Sequence, residues 1–297
     1  MTRKQPPSDY LTSSQAAEIL KCSVSMVYTY ERSGRLKKEV PKGRKQGFFK
    51  RSEVEALAAG MAEFFEMPLE SQVPEMNDLV FTQATPNDAE GIYKVAASLF
   101  GSTTPAEDRK PLITLCPQGN YIVKWKEKIV AYIHIQPLKH ERLMAFMNGK
   151  IRGKDISIND LDCFTPGKSV ECLVKSVGAV KDIGSDDNTR RLNQLHFLFK
   201  LLRGTALEIA KLGTQGINIT KLYATSETVT GIEMAYSAHM DMFGKPFKGG
   251  RFRYTLDVQQ SDIPLLRPYK HAITEWQQAH QELTIVTPKE RGINSSM

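Results

Sequence analysis

Two short amphipathic segments separated by a three-residue break constrain this chain more than any other feature. Neither can bury its apolar face alone, so the two must pack against each other across a tight turn. Thr12 and Gln15 form a Thr-x-x-Gln capping box, and Ala16, Ala17, Ile19 and Leu20 supply the apolar face of a helix beginning near Ser13. After Lys21 and Cys22, Ser23 is placed to cap a second helix. In it Val24, Val27 and Tyr30 recur at helical spacing until Gly34 offers a left-handed stop. Residues 35–38 and 40–51 then read as two strand-like runs around a Gly-punctuated basic loop, a hairpin. Ser52 and Glu55 repeat the capping pattern, and Val54, Leu57 and Ala58 begin a third helix that closes a small core.

The charge follows the same division. Residues 1–60 hold twelve lysines and arginines against six acids, whereas the remaining residues hold 28 against 27. Within 35–51 there are eight basic residues and one acid. A cationic module ahead of a near-neutral body points to a polyanion-binding unit joined to a larger domain with another task. At 297 residues the chain has length enough for two domains.

The order of these signals resembles the MerR/excisionase-type winged helix-turn-helix over roughly residues 10–58. The resemblance is carried by Tyr10, Leu11 and Thr12 through Ala16 to Leu20, then Ser23 to Tyr28, then Arg32 to Leu36. It implies that the second helix enters the major groove of double-stranded DNA and that the wing follows the backbone. Ser25, Tyr28 and Thr29 would then face bases or nearby phosphates, and Arg32, Arg35, Lys42, Arg44 and Lys45 would meet phosphates. Relatives often carry basic residues where this chain has Val24 and Thr29, so affinity is expected to rest mainly on phosphate neutralisation and to fall with salt. A homodimer on inverted half-sites is an assembly that the resemblance allows.

Residues 61–78 read as an extension of the third helix followed by a linker containing Pro68 and Pro74. The body, residues 79–258, alternates strands and helices. Val80–Ala84 reads as a strand, Asp88–Leu99 as an amphipathic helix, and Tyr121–Trp125 with Ile129–Ile135 as a hairpin. A loop-rich segment from about 137 to 168 leads to the strand Val170–Val177. A long helix follows, with Leu192, Leu195, Phe199, Leu202, Ala206 and Ile209 on its apolar face. The strand Ile219–Ala224, a helix over Thr228–Met240 and the strand Arg251–Leu256 complete a mixed sheet covered on both faces. Residues 259–297 read as a tail holding a turn or two of helix. The expected fold is thus a small all-α winged helix-turn-helix domain, residues 1–60, followed by an α/β mixed-sheet domain.

The order of elements in the body is similar to that of GNAT-type acyltransferases. That resemblance implies acetyl-CoA as cofactor, its pyrophosphate held by backbone N–H groups at a helix N-terminus. The best match to the family's phosphate-binding motif gives Arg190, Arg191 and Asn193, with Asn193 and Leu195 standing where the family has small residues and Asp186 and Asp187 just upstream. The family's general-acid position, aligned on Gly231, falls on Ala235, and Tyr236 follows it by one residue. Tyr236 is the candidate acid, and the same tyrosine also fits core packing. Glu171 on the central strand is a candidate base toward an amine. Alternation places it opposite Cys172 without saying which of the two faces a cleft.

Other chemistry has less support. The six histidines form no His-Glu-x-x-His and no Cys/His cluster, so no metal is expected. The four cysteines are scattered without a Cys-x-x-Cys pair, which favours reduced thiols. No apolar run approaches eighteen residues and the N-terminal segment lacks the apolar core of a secretion signal, so no membrane partner and a cytoplasmic location are expected. Two functions follow. One is a DNA-binding regulator or accessory factor of a mobile element, whose GNAT-like body senses a small-molecule effector or contacts a partner. The other is an acyl-CoA-dependent N-acyltransferase that a DNA-binding module delivers to its target.

Overall fold

The structure is a computed structural model. It describes residues 6–20, 24–32, 35–41, 43, 47–66, 78–101, 103–247 and 250–285. The chain divides into two compact units, residues 1–67 with 225–254 and residues 68–224 with 255–297.

In the first unit, β1 (Tyr10–Leu11) leads into α1 (Ser13–Ile19), followed by α2 (Val24–Arg32), β2 (Lys38–Glu39), β3 (Phe48–Lys50) and α3 (Arg51–Glu66). The Thr12 hydroxyl accepts from the Gln15 N–H while the Gln15 side chain accepts from the Thr12 N–H, so the capping box forms as expected. The third helix starts two residues earlier than the Ser52/Glu55 pattern suggests, because β3 runs directly into it and Ser52 lies in its first turn. The small domain is not purely helical. The expected wing strands β2 and β3 pair antiparallel, and β1, which the sequence reading did not assign, pairs antiparallel with the other edge of β3. Leu11, Ala16, Ala17, Leu20, Val27, Tyr30, Leu36, Phe48, Phe49 and Val54 are buried together in the small core. Val24, expected on the buried face, is exposed at the start of α2. Within the expected helix extension and linker, residues 61–78, α3 runs to Glu66 and residues 67–77 lie outside the described residues.

In the body, β4 (Leu79–Gln83), α4 (Ala89–Phe100), β5 (Asn120–Trp125) and β6 (Lys128–Pro137) form where expected, and Lys126 and Glu127 take the two positive-φ positions of the tight hairpin turn. Two helices escaped the sequence reading. The first, α5 (Ala106–Leu115), carries Pro111 in its interior, and the second, α6 (His140–Met147), buries Leu143, Phe146 and Met147 within a segment read as loop. Next come β7 (Ser169–Ala179), α7 (Asp187–Thr214), β8 (Asn218–Ser226), then α8 (Val229–Ser237) and the short β9 (Asp241–Met242), which both belong to the first unit, and finally β10 (Phe252–Asp257) and α9 (Arg267–Ile285).

The strand order is β4-β5-β6-β7-β8-β10-β9. Neighbours from β4 to β7 are antiparallel and β7–β8 is parallel, the mixed sheet expected for a GNAT-like fold. The face of α7 that packs inward is rotated from the expected one. Phe197, Leu198, Leu201, Ala206, Ile209 and Leu212 are buried, whereas Leu192 and Leu195 are exposed. The C-terminal segment is more than a frayed turn, since α9 packs along α7. There Gly213 leaves room for the Tyr269 carbonyl and Ala272, and the Tyr269 hydroxyl donates to the Ile217 carbonyl at 3.0 Å and accepts from the Ile219 N–H at 2.5 Å. Among the described residues no helix is long and apolar enough to cross a membrane.

Candidate functional site

The first candidate surface is built by α2 and the wing. Val27 and Tyr30 are fully buried and turn the opposite side of α2, with Tyr28 and Arg32, outward. Tyr28 is only 37 % exposed because it is held at its edges. Its hydroxyl lies 3.4 Å from Ser13 Oγ, its ring meets Phe49 edge-on at 6.5 Å, and Lys38 Nζ sits 4.9 Å from the ring centroid. This cation–π contact holds a wing lysine over the exposed helix face, and sequence spacing gave no sign of it. Arg32 Nε donates to the Tyr28 carbonyl at 3.3 Å. Ser25 and Thr29 stand in α2, but their side chains lie outside the described residues, as do Lys42, Arg44 and Lys45 entirely.

Not every cation in this region faces solvent without an acid. Lys50 pairs with Glu39 at 3.0 Å, and Glu39 also accepts from the Tyr10 hydroxyl at 3.1 Å. The Lys50 ammonium holds the Glu39 carboxyl below its ordinary range. Arg51 pairs with Glu55 at 3.4 Å. Arg35, expected to meet a phosphate, is ion-paired with Glu233 of α8. Lys37 and Lys38 are exposed, and the sequence reading had not singled either out as a contact.

The second candidate site lies where α7 begins. Parallel pairing of β7 with β8 runs from Ser169↔Asn218 to Val174↔Ala224, whereas β7 continues to Ala179 paired with β6 alone. The loop from Val180 to Asp186 then enters α7. There the Asp186 carboxylate accepts from the Thr189 N–H at 3.0 Å and from the Thr189 hydroxyl at 2.7 Å. The positive end of the helix thus meets an anion that the chain itself supplies. Arg190 donates to the Gly184 carbonyl at 3.2 Å and lies 3.4 Å from Asp187, while Asn193 Nδ2 donates to the Ile183 carbonyl at 2.9 Å. Both side chains fasten the loop to the helix, and Arg191 is exposed. Gly184 has φ +147°, and a Cβ there would come within 2.7 Å of the Arg190 nitrogen, so the close approach of loop and helix requires glycine.

Glu171 is not part of that loop site. It stands eight residues before Ala179, roughly 26 Å along the strand. Its carboxylate lies 2.5 Å from His140 Nδ1 and accepts from the Tyr223 hydroxyl at 3.2 Å. Burial, with the Glu171 charge beside it, pushes the Tyr223 hydroxyl up to about 12. This grouping joins three elements across 31 and 52 residues of sequence, which no local pattern could reveal. Cys172, its neighbour on the strand, is fully buried. Tyr236 is 8 % exposed and packs edge-on against Tyr254, with ring centroids 5.8 Å apart. Among the described residues no group of three His, Cys, Asp or Glu side chains is placed to hold a metal ion.

Comparison with known proteins agrees with the small domain. Residues 10–62 match a family model described as a helix-turn-helix domain. A search of curated protein sequences returned no match. Solved structures similar to this chain include a putative acetyltransferase, YncA, from Salmonella typhimurium with acetyl-CoA (14 % identity, 63 % of this chain and 98 % of that one, TM-score 0.37). The loading GNATL domain of CurA from Lyngbya majuscula is similar at 13 % identity over 62 % and 99 % of the two chains, TM-score 0.39. The ribosomal-protein-S18-alanine N-acetyltransferase from Escherichia coli is similar at 10 % identity over 60 % and 93 %, TM-score 0.34. Residues 10–62 thus match a helix-turn-helix domain, and the body that follows is a mixed sheet packed with helices.

Proposed function

We propose that this protein is a DNA-binding regulator or accessory factor whose winged helix-turn-helix grips double-stranded DNA, and whose GNAT-like body senses a small-molecule effector or contacts a partner. The observation that carries the reading is the outward face of α2. Tyr28 and Arg32 lie opposite the buried Val27 and Tyr30, beside wing strands bearing Lys37 and Lys38. Backbone contacts from such residues confer affinity more than sequence choice, so binding is steep in salt. The basic loop residues Lys42, Arg44 and Lys45 extend the same charge. A gel-shift series with unrelated duplexes at rising salt tests this. Changing Arg44 and Lys45 together to Ala weakens binding to all duplexes alike, whereas Tyr28→Ala alters preference if its ring reaches bases. Salt-insensitive binding, or none, removes the reading.

The loop before α7 favours a sensing or docking body over acyl transfer, because Asp186 satisfies the helix end where the resemblance would seat a pyrophosphate. The acyl-CoA-dependent N-acyltransferase reading is kept for one reason, that β7 and β8 stop pairing after Val174↔Ala224 while β7 runs on to Ala179, ahead of the loop that enters α7. In it Arg190, Arg191 and Asn193 would have to leave their present contacts to hold the cofactor, with Glu171 or Tyr236 moving protons. Calorimetric titration with acetyl-CoA separates the two: micromolar binding supports the transferase, and no heat supports the sensor. Dimer formation on inverted half-sites is tested by sedimentation with and without DNA, and a cytoplasmic location by fractionation.

A further inference from the structure

Three of the four cysteines lie close together in the body, in different surroundings. Cys116 fills the single position between α5 and the turn Pro117–Gly119, Cys163 follows the bridge that pairs Leu138 with Leu161, and Cys172 stands in β7. Cys163 Sγ donates to the Leu115 carbonyl at 3.7 Å, which brings it against the residue next to Cys116. The two thiols are within hydrogen-bond reach of each other, and the Phe164 N–H points at the Cys116 sulfur. All three cysteines are free thiols.

The pair is unequal. Cys116 is 4 % exposed and its backbone is fixed, since its N–H donates to the Leu112 carbonyl at 3.0 Å and its carbonyl accepts from Asn120 Nδ2 at 2.8 Å. Burial pushes its thiol up to about 12, and the charge of Cys163 beside it acts in the same direction. At neutral pH Cys116 is therefore protonated and does not start a reaction. Cys163 is the more exposed of the two and lies in an irregular stretch outside any strand or helix, where its side chain can turn. Cys172 is fully enclosed, with Pro137 of β6 and Leu222 of β8 paired on either side, so its strand holds it away from a new bond. A disulfide needs its two Cβ atoms about 4 Å apart. Thiols already within reach of each other meet that need by side-chain rotation and a small shift of the irregular segment.

We propose that Cys163 and Cys116 form a reversible oxidation site, linked into a disulfide by exchange with a low-molecular-weight disulfide. The Cys163 thiolate attacks one sulfur of the small disulfide, a new S–S bond forms, the old one breaks, and the first small thiolate leaves and takes up a proton. Cys116 then gives its proton to water while its sulfur attacks that of Cys163, which forms the internal disulfide and expels the second small thiolate. The chain loses two electrons and two protons, and the small disulfide becomes two thiols. Once Cys163 carries the mixed disulfide its charge is gone, which removes one of the causes that hold the Cys116 proton in place. The closed loop of about fifty residues encloses β5, β6 and α6 and ties the end of α5 to the segment that leads into β7. The proposal is independent of the DNA-binding and effector readings.

The test equilibrates the full chain in buffers of graded oxidised to reduced glutathione, traps free thiols by alkylation and maps the peptides by mass spectrometry. The expected result is the loss of two alkylatable thiols and a Cys116–Cys163 link within one chain, with Cys172 still free and the link reversed by dithiothreitol. Cys116→Ala stops the sequence at a glutathione adduct on Cys163, and Cys163→Ala leaves Cys116 unmodified at the same ratios. Should either variant fail to fold, the wild-type map decides by itself, because a merely accessible thiol keeps its adduct there. A lasting glutathione adduct on Cys163 of the wild-type chain overturns the proposal. So does a link to Cys22 or Cys172, a link between chains, an adduct on Cys116 in Cys163→Ala, or unmodified thiols at the most oxidising ratio.

Discussion

Replacing Glu233 by Gln keeps the size of the side chain and removes the charge that holds Arg35. In the wild-type chain that pair is partly shielded, with the arginine side chain 33 % exposed and the carboxylate 13 % exposed. A partly exposed pair of this kind contributes no more than about 1 kcal/mol, so Glu233→Gln leaves the fold intact. What changes is the competition for Arg35, because a carboxylate and a DNA phosphate are alternative partners for one guanidinium. Releasing it adds one phosphate contact, which steepens the slope of log affinity against log salt by about 0.9. Between 50 and 200 mM salt, a fourfold range, that slope amounts to about a 3.5-fold change in the ratio of variant to wild-type affinity. Fluorescence anisotropy of a labelled duplex at four salt concentrations resolves such a change. Arg35→Ala is the control, since it takes the gain away in the Glu233→Gln background and does little in the wild-type chain, where the arginine is already engaged. Equal slopes for wild type and Glu233→Gln would refute the reasoning, as would a gain that survives Arg35→Ala.

Three further outcomes follow from the described contacts. Tyr269→Phe deletes a buried hydroxyl that bonds both the Ile217 carbonyl and the Ile219 N–H, and urea unfolding should show a loss of about 1–3 kcal/mol with the slope of the transition unchanged. Asp186→Ala removes the N-cap of α7 and costs about 1 kcal/mol by the same measurement; it also exposes the Thr189 N–H, so a gain in acetyl-CoA heat in this variant alone would identify Asp186 as what excludes the phosphate. Lys175 titrates near 8 in the folded chain against 10.5 when exposed, so the unfolded chain binds more protons between those values. The contribution of Lys175 to stability is least below pH 8 and rises by about 3 kcal/mol toward pH 10.5, an increase that Lys175→Met removes from the pH dependence of urea midpoints.

Local signals carried the small domain. The Thr12–Gln15 box, the spacing of Val27 and Tyr30 and the basic run after Arg35 each act within a few residues, and each gave an element where the structure has one. Elements whose stability comes from distant packing were hidden. Pro111 masks α5 because proline removes a helical hydrogen bond, yet Leu112 and Ile113 bury the helix regardless. The tail helix α9 looked weak by itself and is held by Gly213, Gly216 and the Tyr269 hydroxyl, all supplied or met by residues some fifty positions upstream. The rotated face of α7 has the same origin. Leucines at 192 and 195 continue an apolar stripe in sequence, but Asn193 and Gln194 bond back to the Ile183 and Ala179 carbonyls and fix which side of the helix meets the sheet.

The candidate sites differ in legibility for a related physical reason. A DNA-contacting face needs only exposed cations on a helix of known phase, and composition reports cations directly. Glu171, by contrast, is a strand residue whose partners His140 and Tyr223 come from other elements, and its place some 26 Å from the α7 loop depends on strand length, not on residue type. Arg190 fits a phosphate-binding pattern and Asn193 stands where that pattern has a small residue, yet their bonds to Gly184 and Ile183 are decided by the conformation of a seven-residue loop that the pattern does not encode. Asp186 tips the balance further. A carboxylate tethered one residue before the helix faces no loss of translational entropy in reaching the N–H donors, whereas a free anion does, so the internal cap outcompetes any ligand that offers only phosphate contacts. An acyl-CoA would therefore have to gain its affinity along the β7–β8 opening and not at the helix end, which makes the Asp186→Ala titration the measurement that separates a closed transferase from a body adapted to another ligand.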